Sequence, residues 1–135
     1  NKSASGSHKY SGYLKTPKLA ALTAPTNITL EFDICRFAGD GDIYIHLEGA
    51  GTYTAAAVNI DGAAAATTVA ASGTDFVVTN DLCSKQANTV INKPWSHVEL
   101  SIAGATAETQ IKFDGSRGKD SASDRCLLDN IKITK

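Results

Sequence analysis

Apolar and polar residues alternate along most of this chain with a period of two, the spacing that is typical of β-strands. No stretch of ten or more residues shows the 3.6-residue period of an amphipathic helix. The alternation predicts strands at segments 10–19, 27–37, 42–49, 74–79, 97–102, 108–115 and 125–135.

Segment 54–73 gives a mixed signal because it is rich in alanine, which favours helix, and also contains β-branched residues, which favour strand. The pair Asp61-Gly62 near its middle is typical of a two-residue hairpin turn. We therefore predict a hairpin of two strands with small side chains, and a short helix is the alternative.

About eight strands joined by Gly, Asn and Asp turns indicate an all-β fold made of antiparallel strands. The length of 135 residues predicts a single domain, residues 1–135, with a sizeable core. The net charge of −1 gives no electrostatic reason to bind nucleic acid. No run of eighteen apolar residues occurs, so we expect no membrane insertion of this domain.

Four segments, "GYLKTPKL", "ITLEFDI", "WSHVELSIAGATAETQIKFDG" and "RCLLDNIKI", follow one another in this order from Gly12 onward. This series resembles the jelly-roll modules of secreted and surface proteins from gut bacteria. Carbohydrate-binding modules, MAM-type domains and cleaved-adhesin domains share that layout. The resemblance implies an antiparallel jelly-roll β-sandwich, located outside the cell or on the bacterial cell surface, with other domains of a larger protein as possible partners.

Several polar and aromatic side chains occupy the outward positions of the predicted strands. If these strands share one sheet, its open face has the composition of a sugar-binding surface, because sugar rings stack on aromatic rings and hydroxyls bond to polar groups. The sequence therefore predicts a glycan ligand, a polysaccharide or an oligosaccharide; the alternatives are an ordinary solvated face and a structural or adhesion module that contacts protein or spaces other domains. The candidate ligand-binding residues are Tyr44, His46, Glu48, Trp95, His97 and Glu99, and Tyr53 is a further aromatic at the rim.

The last predicted strand places Asp129 in the same phase as Leu127, Ile131 and Ile133, toward the apolar side. An unpaired buried charge is costly, so either a bulge shifts the phase or the carboxylate meets hydrogen-bond donors or a cation. In calcium-bearing proteins of the jelly-roll layout, an acidic residue in the last strand often helps to hold a structural ion. The resemblance thus implies Asp129 as a calcium ligand. Further oxygen ligands could come from Glu31, Asp33, Asp40, Asp42, Asp120 and Asp124.

The segment "LEFDICR" is similar to the E-x-D-x-x-E strand of laminarinase-type glycoside hydrolases. Glu31 and Asp33 match the first two acids, but the third falls on Arg36, or on Cys35 without a bulge. Without this third acid, the strand lacks one of the two carboxylates that a retaining glycoside hydrolase needs. We therefore expect that the chain is not an enzyme.

The chain has three cysteines, Cys35, Cys83 and Cys126, and no CxxC pair. This spacing argues against a zinc ribbon or a thioredoxin-like site. The odd count allows either one disulfide with one free thiol or three free thiols. Cys35 and Cys126 are the candidate pair, because they lie on strands that could be neighbours.

Overall fold

A computed structural model describes residues 12–38, 41–86, 92–115 and 125–135. Over these residues the chain forms nine strands and one short 3-10 turn, Ile60–Gly62. No helix in the described ranges is long and apolar enough to span a membrane. The strands are β1 (Tyr13–Lys15), β2 (Thr26–Ala38), β3 (Ile43–Glu48), β4 (Thr52–Asn59), β5 (Thr67–Val69), β6 (Asp75–Val78), β7 (Ser96–Ala105), β8 (Gln110–Asp114) and β9 (Arg125–Thr134).

The strands form two sheets that pack face to face. The four-stranded sheet has the order β1-β8-β3-β6, and the five-stranded sheet has the order β5-β4-β7-β2-β9. Neighbouring strands within each sheet are antiparallel. The predicted antiparallel β-sandwich is confirmed, and the jelly-roll order of its strands stays a prediction.

The core lies between the two sheets and consists of the residues that the alternation places inward. Phe32 of the five-stranded sheet meets Phe113 of the four-stranded sheet edge to face, with ring centroids 5.1 Å apart. The Tyr53 hydroxyl donates a hydrogen bond of 3.0 Å to the carbonyl oxygen of Ile45 across the same gap. Burying one aliphatic or aromatic side chain fully contributes about 1.5–3 kcal/mol to the free energy of folding.

The alanine-rich segment forms the predicted hairpin, β4 paired with β5, but its connection is wider than two residues. The last paired residues are Val58 and Thr67, so residues 59–66 connect the strands. Asp61 and Gly62 both have positive φ, 48° and 77°, the combination that an Asp-Gly pair favours. The predicted hairpin is therefore formed, but the predicted two-residue turn is not.

Within the wider connection, Asp61 makes hydrogen bonds to two distant segments of the chain. Its carboxylate accepts a hydrogen bond from the Ser84 backbone N–H at 2.9 Å, and its own N–H donates to the Ser96 hydroxyl at 2.9 Å. At Gly62, an added Cβ would lie only 2.6 Å from Cβ of Pro94. The turn therefore anchors the start of β7 and the segment before it, which a tight two-residue turn would not reach.

A β-bulge in β9 resolves the phase of Asp129. Asp129 pairs with Asp33, but the next pair is Lys132 with Glu31, so β9 carries one residue more than β2 between the two pairs. Asn130 has φ 51°, a left-handed conformation that asparagine tolerates better than most residues. The bulge is the first of the alternatives that the sequence left open.

The bulge corrects the expectation that Asp129 and Leu127 point toward the core. Both side chains are exposed, whereas Cys126 and Leu128 pack against the core. Beyond the bulge, Ile133 again packs inward. The Asp129 carboxylate accepts a hydrogen bond of 2.8 Å from the backbone N–H of Asn130, so the charge is solvated and locally bonded rather than buried.

Arg36 ends the regular part of β2 with a buried guanidinium group, and the residue is 1% exposed. The group donates to three backbone carbonyls: those of Cys83 at 3.2 Å, Val78 at 2.8 Å and Gly41. Because backbone carbonyls satisfy its donors, the cation can lie inside the protein. It joins β2 to the segments that follow β6 and precede β3.

The candidate disulfide between Cys35 and Cys126 is absent, and both thiols are free. The register explains why. Cys126 lies opposite Arg36, and Cys35 lies opposite Leu127, one position further along. Because successive side chains of a strand point to opposite faces, the two cysteines face opposite sides of the sheet.

Candidate functional site

The predicted ligand-binding residues lie on two different sheets, so the expected single face is not formed. Tyr44, His46 and Glu48 lie on β3 of the four-stranded sheet. His97 and Glu99 lie on β7 of the five-stranded sheet, and Trp95, which is half-buried, immediately precedes β7. The alternation predicted correctly that the five strand residues point outward, but not which sheet each strand joins.

One group of outward side chains, which we call the tyrosine face, covers the four-stranded sheet. Its central row runs across three neighbouring strands, from Tyr13 on β1 through Asp114 on β8 to Tyr44 on β3. A second row contains Lys15, Lys112, His46 and Asp75, and a third contains Gln110 and Glu48. The tyrosine face consists of Tyr13, Lys15, Tyr44, His46, Glu48, Asp75, Val77, Gln110, Lys112 and Asp114.

Tyr13 is the most exposed aromatic residue of the face, at 60%. The Lys112 ammonium nitrogen lies 4.6 Å from the centre of its ring, a cation–π contact, and also 2.9 Å from a carboxylate oxygen of Asp114. The Asp114 side chain is only 3% exposed. A buried carboxylate thus holds a lysine over one side of an exposed ring.

Sequence analysis placed Tyr13 on an extended strand but not in the site. Its outward phase beside Lys15, with Leu14 between them, was the available signal. The alternation could not show that β1 pairs with β8, which is almost a hundred residues away in the chain. Only the strand pairing of the folded sheet therefore places Tyr13 on the same face as Tyr44.

The remaining charges of the tyrosine face are paired with one another. Lys15 bonds to Glu48 at 3.0 Å, and Nδ1 of His46 lies 2.7 Å from a carboxylate oxygen of Asp75. The hydrogen bond from Lys15 lowers the pKa of Glu48 below its ordinary value, since it outweighs the opposing effect of desolvation. The face therefore combines aromatic rings with fixed polar groups.

The outer side of the five-stranded sheet has a different character. Nδ1 of His97 lies 2.7 Å from one carboxylate oxygen of Asp33, and the Asn130 amide donates to the other at 2.5 Å. Lys132 bonds to Glu31 at 2.8 Å. Among the described side chains of this sheet, the outward strand positions carry no tyrosine, phenylalanine or tryptophan.

Glu31 and Asp33, the two acids of the hydrolase-like segment, both lie on this side of the five-stranded sheet. Arg36, which replaces the third acid, points inward and is buried. Glu99 on β7 lies directly opposite Glu31. The comparison with laminarinase-type strands therefore ends at two residues, and the expectation that the chain is not an enzyme stays a prediction.

Tyr53 does not lie at the rim of a binding face. It is 2% exposed, and its ring contacts Phe76 at a centroid distance of 6.4 Å. Burial raises the pKa of its hydroxyl well above the ordinary value, and the nearby Asp75 carboxylate raises it further. The residue belongs to the core, so the expectation that it adds a stacking surface is wrong.

Calcium binding at Asp129 stays a prediction. Among the described residues, no group of three or more His, Cys, Asp or Glu side chains is placed to hold a metal ion. Three of the suggested additional ligands, Asp40, Asp120 and Asp124, lie outside the described residues. The Asp33 carboxylate, which lies across from Asp129, is already bonded to His97 and Asn130.

Comparison of the chain with known protein families, with curated proteins and with solved structures finds no match. The resemblance to jelly-roll modules therefore rests on the sequence segments alone. Of the two outer sheet surfaces in the described part of the chain, the tyrosine face is the one that carries tyrosine rings.

Proposed function

We propose that the chain is a non-catalytic carbohydrate-binding module of a secreted or cell-surface bacterial protein, and that its ligand lies on the tyrosine face. The observation that carries the proposal is the row formed by Tyr13, Asp114 and Tyr44. Two outward aromatic rings flank the ion pair of Lys112 with the buried Asp114 carboxylate on the outer side of the sheet. This is the combination that stacks against sugar rings and bonds to their hydroxyls.

The polar side chains around the row support this proposal because their positions are fixed. His46 is held by Asp75, and Glu48 is held by Lys15. The amide nitrogen of Gln110 donates to the carbonyl oxygen of Thr16 at 2.9 Å, which leaves the amide oxygen oriented. Groups that are already ordered lose little side-chain entropy when a ligand binds.

The expected affinity is modest, because a two-ring surface on a sheet encloses only part of a sugar. We expect dissociation constants between roughly micromolar and millimolar, or about −8 to −4 kcal/mol. The jelly-roll topology, the location outside the cell and the presence of other domains in a larger protein belong to the same proposal, and the resemblance of the four sequence segments supports them.

The proposal is tested by affinity gel electrophoresis with plant and host polysaccharides and by a broad glycan array. Tyr44→Ala should remove most of the binding and leave the melting temperature nearly unchanged, since an outward tyrosine contributes little to the core. Glu99→Ala on the five-stranded sheet is the matched control and should bind like the parent. No retardation on any glycan, or binding that Tyr44→Ala leaves intact, would contradict the proposal.

A structural or adhesion module that contacts protein is the second candidate, and one observation favours it. Leu127 and Ile131 are 39% and 37% exposed on β9, the outermost strand of the five-stranded sheet. Contiguous exposed apolar surface marks protein contacts, and an edge strand offers backbone groups that another strand can pair with. This candidate predicts no glycan binding at all, so the electrophoresis experiment separates it from the first.

A further inference from the structure

The spacing of the two tyrosines defines how a sugar chain fits the face. Tyr13 and Tyr44 lie on strands separated by one strand, β8, and at the same level of the sheet. Neighbouring strands are about 4.7–4.9 Å apart, so the two backbone positions are about 9–10 Å apart. Each pyranose ring adds to an extended glycan a length similar to the distance between two neighbouring strands. Rings at alternate positions of a glycan would therefore meet the two tyrosines.

The middle of this row is polar, as the intermediate sugar ring requires. Asp114 and Lys112 lie between the tyrosines, and the lysine is bound to the carboxylate. The Asp114 side chain is only 3% exposed, so the reachable member of the pair is Lys112, at 22%. The lysine N–H groups can donate to sugar hydroxyl groups while the buried carboxylate holds the lysine in place. The ring of Tyr13 has the Lys112 ammonium on one side, which fixes its orientation.

The charges of the face indicate an uncharged ligand. Its two lysines are bound by carboxylates, Lys112 by Asp114 and Lys15 by Glu48. With Asp75 the described face has three carboxylates against two lysines, which gives 2 − 3 = −1 with His46 neutral and zero with His46 protonated. A uronate or sulfate group would have to break one of these ion pairs and would meet a face without positive charge in excess.

We propose that the tyrosine face binds an uncharged glycan chain of three or more pyranose rings, which runs across the strands from Tyr13 to Tyr44. This inference rests on the proposed carbohydrate-binding function and adds its ligand class and direction. A disaccharide reaches only one tyrosine at a time. A trisaccharide reaches both, and the second contact then forms within an already bound complex.

The test is a calorimetric titration with cello-, manno- and xylo-oligosaccharides of one to five rings. We expect a step in affinity on the order of 10-fold between two and three rings in at least one series, and little gain beyond. Tyr13→Ala should remove the step, so that the variant binds three rings no better than two. Tyr13→Phe is the matched control and should keep the step, because it retains the ring.

Polygalacturonate and dextran sulfate serve as charged probes in the same assay, and both should bind more weakly than the neutral chains. A charged polymer that binds more tightly than every neutral one, or an affinity that does not depend on chain length, overturns this inference. If Tyr44→Ala still removes that binding, the proposed carbohydrate-binding function stands. If no glycan binds at all, the proposed function and this inference both fail.

Discussion

The ammonium nitrogen of Lys112 lies 2.9 Å from a carboxylate oxygen of Asp114, and the two residues are next-but-one neighbours on β8. The carboxylate side chain is 3% exposed and the lysine side chain 22%, so the negative charge is the more deeply buried partner. A buried charge is costly without a partner. Loss of the lysine alone would therefore leave a buried carboxylate without this partner.

Replacing Lys112 tests how far the free energy of unfolding depends on this ion pair. We expect Lys112→Met to lower the free energy of unfolding by about 1–3 kcal/mol, because the buried carboxylate loses a hydrogen-bonded partner. Denaturant unfolding measures the change. The double variant with Asp114→Asn should recover part of the loss, since the neutral amide is less costly to bury. Equal stabilities of Lys112→Met and the parent would contradict the role of the pair.

Acid should destabilise the protein through carboxyl groups of the five-stranded sheet. Burial by itself would raise the pKa of Asp33, but hydrogen bonds from Asn130 and His97 outweigh it and lower the pKa. The hydrogen bond from Lys132 lowers the pKa of Glu31, against a smaller effect of desolvation. A carboxyl group whose pKa is lower in the folded state stabilises the protein above its unfolded pKa, and this contribution is lost as the pH falls through the folded pKa.

We therefore expect the free energy of unfolding to fall as the pH is lowered below about 5, where carboxyl groups of the unfolded chain begin to bind protons. Urea unfolding at a series of pH values measures the slope. Asp33→Asn should make the slope shallower, because it removes one of the groups that titrate differently in the two states. A slope that is unchanged in Asp33→Asn would show that this carboxyl group is not responsible.

Arg36 should be among the least replaceable residues. Arg36→Met keeps the apolar volume but removes the donors to three buried carbonyl oxygens, and each unsatisfied buried acceptor costs about 1–3 kcal/mol. We expect a loss of several kcal/mol in denaturant unfolding, or failure to fold. Lys18→Met is the control, since the Lys18–Glu108 pair is exposed and should change stability by no more than about 1 kcal/mol. Similar effects of the two substitutions would contradict the assignment.

Calcium at Asp129 can be tested by a chelator. If the ion binds the folded state, chelator should lower the melting temperature and added calcium should restore it, because a ligand of the native state stabilises by mass action. Asp129→Ala should then abolish the response. A melting temperature that does not respond to chelator leaves the local hydrogen bond from Asn130 as the role of this carboxylate.

Sequence alternation predicted the fold class and the direction of most strand side chains, because the direction depends only on neighbouring residues. Phe32 and Phe113, for example, occupy inward positions of this alternation, and both are buried. The pairing of strands depends on contacts between distant segments, which the alternation does not contain. For that reason Glu99 was assigned to the same face as Tyr44, although the two lie on opposite sheets.

The candidate site was predicted in part for the same reason. Tyr44, His46 and Glu48 share one strand, so the period of two was enough to group them. Tyr13 joins them only through the pairing of β1 with β8. The partners of the histidines, Asp75 and Asp33, likewise come from neighbouring strands that the sequence does not identify.

The extra residue in β9 lies on an edge strand of the five-stranded sheet. Within the described part of the chain, β9 is the outermost strand of its sheet, and ten residues give it enough backbone donors and acceptors to recruit a strand from another molecule. The left-handed Asn130 interrupts that row halfway and twists the strand. We therefore expect the residue that turns Asp129 toward solvent also to hinder edge-to-edge pairing of the sheet with another molecule.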